Sequence, residues 1–151
     1  MNYGYILERV EDGFKQWLDT TVITGSFSGS APVTTYKGMD DVDKLEANSL
    51  IIFGESAQQI EYGMNIYECS VNITYRYCPD NEYETSINTR NATYKLITET
   101  LFNNDLQSKL TQFSTGLKIF DVETEGTANN FDGSSWQSSL SLKVVCGIFN
   151  Q

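Results

Sequence analysis

Residues 3–19 carry apolar side chains at helical steps. Tyr3, Ile6, Leu7, Val10, Phe14, Trp17 and Leu18 fall on one face, and Glu8, Glu11, Asp12 and Lys15 lie off it. This spacing predicts an amphipathic N-terminal helix with one face to bury. Residues 24–44, TGSFSGSAPVTTYKGMDDVDK, then lose all periodicity and open with clustered Gly, Ser and Pro. They read as a loop that is long for a compact domain, with its mobile part at 25–38. Thr20 to Thr24 before it reads as a short strand, and residues 49–53, SLIIF, as a short buried one. Residues 66–77 alternate strictly: Tyr67, Cys69, Val71, Ile73, Tyr75 and Tyr77 against Glu68, Ser70, Asn72, Thr74 and Arg76. That period of two predicts a strand with one buried and one wet face, ended by Pro79 and a polar turn at Asp80 to Glu84.

A second helix is predicted at about 86–103, where Ile87, Tyr94, Ile97, Leu101 and Phe102 share a face and Leu96 lies off it. Asn103, Asn104 and Asp105 break it. Asp105 can cap a short third helix bearing Leu106, Leu110 and Phe113, closed by Gly116. The C-terminal part reads as a hairpin: a strand at 117–124, the turn GTANNFDGS, and a long strand over 134–149. In the last strand Trp136, Leu140, Leu142, Val144, Cys146 and Ile148 oppose Ser135, Gln137, Ser139, Ser141 and Lys143. Helices do not alternate regularly with strands, so the fold class is α+β. The expected architecture is a mainly antiparallel sheet with the two main helices packed on its apolar face. The chain has 151 residues, about one domain, and shows neither repeats nor a dividing linker, so residues 1–151 form a single domain.

Composition narrows the function. Lys plus Arg is 10 and Asp plus Glu is 20, a net charge of −10, and there is no His. Without His there is no Ser-His-Asp or Cys-His apparatus and no imidazole ligand for a metal. The acid excess argues against ordinary nucleic-acid binding, which needs clustered cations to displace phosphate counterions. The start, MNYGYILERVED, is not the pattern of a secretory leader. The longest purely apolar run, Leu50 to Phe53, is far short of the ~20 residues of a membrane helix. Three cysteines, Cys69, Cys78 and Cys146, fit a reducing compartment better than a disulfide framework.

Three acidic groupings could carry chemistry. Asp40-Asp41-Val42-Asp43 has half the look of a calcium loop but lacks its glycine and closing Glu. Asp80, Glu82 and Glu84 read as a solvated turn. Asp121, Glu123 and Glu125 alternate along one strand and so share a face. That row is either a wet surface or a negative wall that repels DNA in an assembly channel. Cys69 and Cys146 fall on apolar strand faces and read as core, whereas Cys78 sits at a strand end beside Pro79. Three cysteines alone cannot complete a four-ligand zinc site, and Gly25 and Gly29 lack the Gly-Lys-Ser/Thr of a phosphate loop. Trp136, at the start of the last strand, reads as core or interface. The expectation is therefore a binding or structural protein, with no catalytic residues, no metal and no cofactor.

The layout resembles the tail terminator proteins of long-tailed bacteriophages, of the lambda minor tail protein U type. The resemblance is carried by the helix ILERVEDGFKQWL, the strand NIYECSVNITYRY, the helix after residue 85 and the ending GSSWQSSLSLKVVCGIF. In that family the last strand follows a polar acidic turn and begins near a Trp-Ser pair; here the order is reversed, Ser135-Trp136. This chain departs from the lambda member in lacking His and in a longer N-terminal loop. The resemblance implies a hexameric ring on the head-proximal end of the tail tube, which stops tube polymerisation and docks to the head-side neck. Its partners would be copies of itself, the tail tube protein and the neck or connector protein. DNA would pass through a channel lined by Asp121, Glu123 and Glu125 without being specifically bound. The long loop would reach a neighbour with Phe27 and Tyr36 as anchors. The protein would reside in the virion tail or neck, after assembly in the host cytoplasm, with no membrane association. Another neck or tail-completion protein and an unrelated small protein-binding domain are the alternatives.

Overall fold

A computed structural model of the chain describes residues 3–19, 34–38, 48–61, 65–77, 91–92, 94–95, 98–99, 106–114, 116–131 and 136–148. Helix α1 spans Tyr3–Leu18, and α2 spans Leu106–Phe113. The strands are β1 (Thr34–Lys37), β2 (Asn48–Glu61), β3 (Ile66–Tyr77), β4 (Leu117–Phe131) and β5 (Trp136–Ile148). They form one five-stranded sheet in the order β1-β2-β3-β5-β4. β1 runs parallel to β2, and the other three pairings are antiparallel. The class is α+β, with both helices packed into the one core that the sheet also lines.

The predicted helical stripe is the buried one. Ile6, Val10, Phe14 and Leu18 are inaccessible to solvent, Trp17 nearly so, and Leu7 packs at the margin. The alternation in β3 likewise sorts Tyr67, Cys69, Val71, Ile73 and Tyr75 inward, where they meet Leu140, Leu142, Val144 and Cys146 of β5. Ser138 is also buried on that face. Its hydroxyl donates to Asn129 Oδ1 on β4, 2.8 Å away, so the polar group is satisfied. Tyr75 stacks with Tyr77 and with Tyr94, whose residue is helical, as are Asn91, Ala92, Lys95, Thr98 and Glu99. The rest of the predicted 86–103 helix, and the short strand Thr20 to Thr24, lie outside the described residues.

Three strand boundaries differ from the sequence reading. Residues 34–37 of the predicted mobile loop are strand β1, held by parallel pairing of Thr35 with Leu50 and Tyr36 with Ile51. β2 does not stop at Phe53 but runs on to Glu61 against β3. β4 continues through GTANNF, which had read as a turn. In the last two cases the extension is mostly polar, with only Ala57, Ile60, Ala128 and Phe131 apolar, so no regular alternation marks it. Main-chain bonding to the neighbouring strand holds it in register instead.

The junctions follow from local chemistry. Gly116, with φ of 80°, takes the left-handed conformation that ends α2, and Leu117 N–H donates to the Ser114 carbonyl at 3.2 Å. Thr111 then ties α2 to β4, its Oγ1 accepting from Ile119 N–H at 3.1 Å. α1 meets α2 at Gly13, where any Cβ would overlap the Ser114 hydroxyl and sit 3.2 Å from Leu110 Cδ1. Gly13→Ala should therefore lose about 1–3 kcal/mol to overpacking, outweighing the roughly 1 kcal/mol that Ala gains over Gly in a helix. The Ser114 hydroxyl is buried with no hydrogen-bond partner among the described residues, so Ser114→Ala alone should be nearly neutral. A urea-unfolding double-mutant cycle should show at least ~1 kcal/mol of coupling between the two sites; strict additivity would mean the helices do not meet there.

Candidate functional site

β4 is an edge strand, bonded only to β5 among the described residues. Its pairing slips twice, between Ile119 and Asp121 and between Thr124 and Gly126. At each slip one residue, Phe120 and then Glu125, stands outside the register, as in a bulge. Asp121 lies opposite Val145 and Glu123 opposite Lys143, so these two share the polar face of the sheet. Glu125 has no partner of its own on β5, because it stands at the second slip, between Thr124 opposite Leu142 and Gly126 opposite Ser141. All three acids are exposed. Lys143 sits between acids on that face, with Nζ 3.6 Å from Glu68 Oε1 on the far side from Glu123. Phe120, 37 % exposed, turns its ring over Gly147, where a Cβ would come within 2.8 Å of Cε2. That close approach explains a glycine near the end of a buried strand.

Of the two residues expected to anchor a partner from a loop, Tyr36 is instead a half-buried member of β1, opposite Ile51. Backbone pairing, absent from any side-chain pattern in this segment, fixes it there. Phe27 lies outside the described residues, as do Asp40, Asp41, Asp43, Asp80, Glu82, Glu84 and Cys78. Trp136 is half-buried at the head of β5, between Tyr77 of β3 and Phe131 of β4. Cys69 and Cys146 are fully buried, as their positions on the strands imply.

A second polar cluster was not foreseen. The acids along α1, with Asp19 just past its end, lie on the side of β1, Glu8 remaining largely exposed. Lys37 Nζ lies 2.6 Å from Asp12 Oδ1 and 3.7 Å from Glu8 Oε1. Its hydrogen bond to Asp12 is the main reason its pKa is raised. One turn on, Lys15 Nζ lies 2.8 Å from Asp19 Oδ2, and the buried Thr35 hydroxyl donates to Asp19 Oδ1. Glu11 reaches inward between these pairs, its Oε2 accepting from Gly54 N–H at 3.1 Å. Burial pushes the Glu11 carboxyl above the usual carboxylate value; the N–H groups of Gly54 and Gly38, and then Lys37, offset this only in part. The signal was present in the sequence: Glu8, Glu11, Asp12, Lys15 and Asp19 themselves recur at helical steps, a polar stripe beside the apolar one. Chemically the cluster is a clamp that fixes the edge strand to the helix.

Among the described residues no group of three or more His, Cys, Asp or Glu is placed to hold a metal ion. Among them, too, no helix is long and apolar enough to cross a membrane. No family model matches the chain, and no curated protein is detectably similar to it.

The clamp has a pH signature. A carboxyl whose folded pKa is raised contributes most below its unfolded pKa, where it is protonated in both states, and loses that contribution as pH rises through the folded value. Glu11→Gln stays neutral and can still accept from Gly54. Its stability relative to the parent chain should therefore be greater at pH 7 than at pH 4, read by urea unfolding at each pH. A difference that is constant, or larger at pH 4, would reverse the sign assigned to Glu11. The edge makes its own prediction. Bulges and charge are devices that keep an open strand from pairing with another chain. Replacing Asp121 and Glu123 with Val should cause concentration-dependent aggregation in sedimentation velocity, with little change in the unfolding midpoint. Unaltered sedimentation would show that these acids do not guard the edge.

Proposed function

We propose that this chain is a structural virion protein that forms a ring on the head-proximal end of a phage tail tube, ends tube polymerisation and docks to the neck. The observation that carries the reading is the exposed acidic strand β4, set in a chain of net charge −10. Six copies would bring six times −10, or −60. Asp121 and Glu123, turned toward a central channel, would let DNA pass by like-charge repulsion without retaining it. The order of elements, from the amphipathic α1 to the terminal β4–β5 hairpin, supports the same reading. With it goes a finer description of the fold as a mainly antiparallel, tail-terminator-like sheet. Ring closure would use head-to-tail contacts, which leave two unlike faces, one for the tube protein and one for the connector. The work is non-covalent recognition, with no catalytic step and no cofactor.

Native mass spectrometry and negative-stain electron microscopy, with and without polymerising tail tubes, test this. A closed ring near six times the chain mass, and tubes that stop growing when it is added, are expected. A monomer at every concentration that neither binds tube ends nor limits tube length would leave the small protein-binding domain in its place. In the assembled ring, Asp121→Lys with Glu123→Lys should create DNA retention at low salt that weakens as salt rises.

A further inference from the structure

β3 and β5 are central in the sheet and belong to different hairpins, β2–β3 and β4–β5. Two thiols meet where they join. Cys69 Sγ lies 4.0 Å from Cys146 Sγ, both residues are fully buried, and no disulfide links them. Cys69 is opposite Val144 and Cys146 opposite Tyr67, so the cysteines are diagonal neighbours on the apolar face. In a flat sheet diagonal partners stand about 7–8 Å apart, beyond the usual Cα separation of about 4.4–6.8 Å in a disulfide. The right-handed twist of a real sheet shortens one diagonal at the expense of the other. The 4.0 Å contact shows that the two side chains already reach each other across the diagonal.

We propose that Cys69 and Cys146 are a site of reversible oxidation that covalently joins the two hairpins. The oxidant is a small-molecule disulfide such as oxidised glutathione. One cysteine thiolate attacks its S–S bond, releases one reduced thiol and leaves a mixed disulfide on the protein. The second cysteine attacks the protein sulfur of that adduct and displaces the other reduced thiol. Two protein S–H bonds are exchanged for one S–S bond, and the oxidant takes up two electrons and two protons.

Burial shapes the kinetics. The hydrogen bond between the thiols and burial push the Cys69 thiol up, while the same hydrogen bond lowers Cys146. Burial of both sulfurs makes the first attack wait for local opening of the sheet. The second step is fast, because its partner is already in contact. The closed link spans 77 positions, so it restricts the unfolded chain far more than it moves the folded one. The pair stays reduced in a reducing compartment and closes on transfer to an oxidising one. None of this depends on the virion reading.

The test uses the full chain with Cys78→Ser, incubated with oxidised glutathione under native conditions and in urea below the unfolding midpoint, followed by non-reducing peptide mapping. A Cys69–Cys146 cross-link is expected, formed faster in sub-denaturing urea and without a lasting glutathione adduct. The linked chain should melt roughly 5 °C or more above the reduced one, and dithiothreitol should reverse the gain. If Cys78→Ser does not fold, the parent chain serves, because mapping separates the three pairings. The proposal fails if a stable adduct accumulates, if the link forms only in fully denaturing urea, or if the linked chain melts at or below the reduced one.

Discussion

The antiparallel pairing of β3 with β5 runs from Ile66 opposite Gly147 to Tyr77 opposite Trp136 and joins two hairpins that are otherwise local structures. Each hairpin can pair its own strands across a short connection, but neither alone can bury its apolar face. The seam is therefore where folding commits to long-range order. On the inner face it sets Ile73 beside Leu140, Val71 beside Leu142 and Cys69 beside Val144. On the outer face Thr74 and Ser139 share a hydrogen bond at 3.1 Å, and Lys143 reaches Glu68. α1 then covers β1 and β2, and α2 packs on α1 and β4, so each helix closes the core over a different side of the seam.

The acid excess is distributed by a physical division of labour. The acids of α1 are engaged with Lys37, Lys15, Thr35 and the Gly54 amide, so they bind the helix to the sheet edge at β1. The cost of this arrangement falls on Glu11, whose charge is partly desolvated. At the opposite edge the acids of β4 have no such engagement with a helix among the described residues. There two register slips and exposed carboxylates leave a polar ribbon that resists strand addition. The same ribbon is the surface on which the proposed role in a DNA-conducting ring rests.

The amphipathic helix, the alternation of β3 and the alternation of β5 were legible from residue order, because period and burial are tied wherever one face of an element is apolar. The length of β2 and β4 was not. Ser56, Gln58, Gly126 and Asn130 are polar residues whose strand conformation is set by main-chain bonds to β3 and β5, and side-chain pattern carries no trace of that. Tyr36 read as part of a loop for the same reason. Asp121 and Glu123 share a face as their spacing implied, whereas the slip that leaves Glu125 without a partner on β5 is announced by no local residue.

The sequence by itself determined that an acidic, His-free chain would build an α+β domain from one amphipathic helix and strongly alternating strands, since these follow from spacing and composition. Only the tertiary structure decided which strands are neighbours, because register is a long-range choice made by the packing of whole faces. That choice placed Cys69 against Cys146 from 77 positions away, and it turned the polar stripe of α1 onto Lys37. It also put β4, with its acids, at the edge of the sheet rather than inside it.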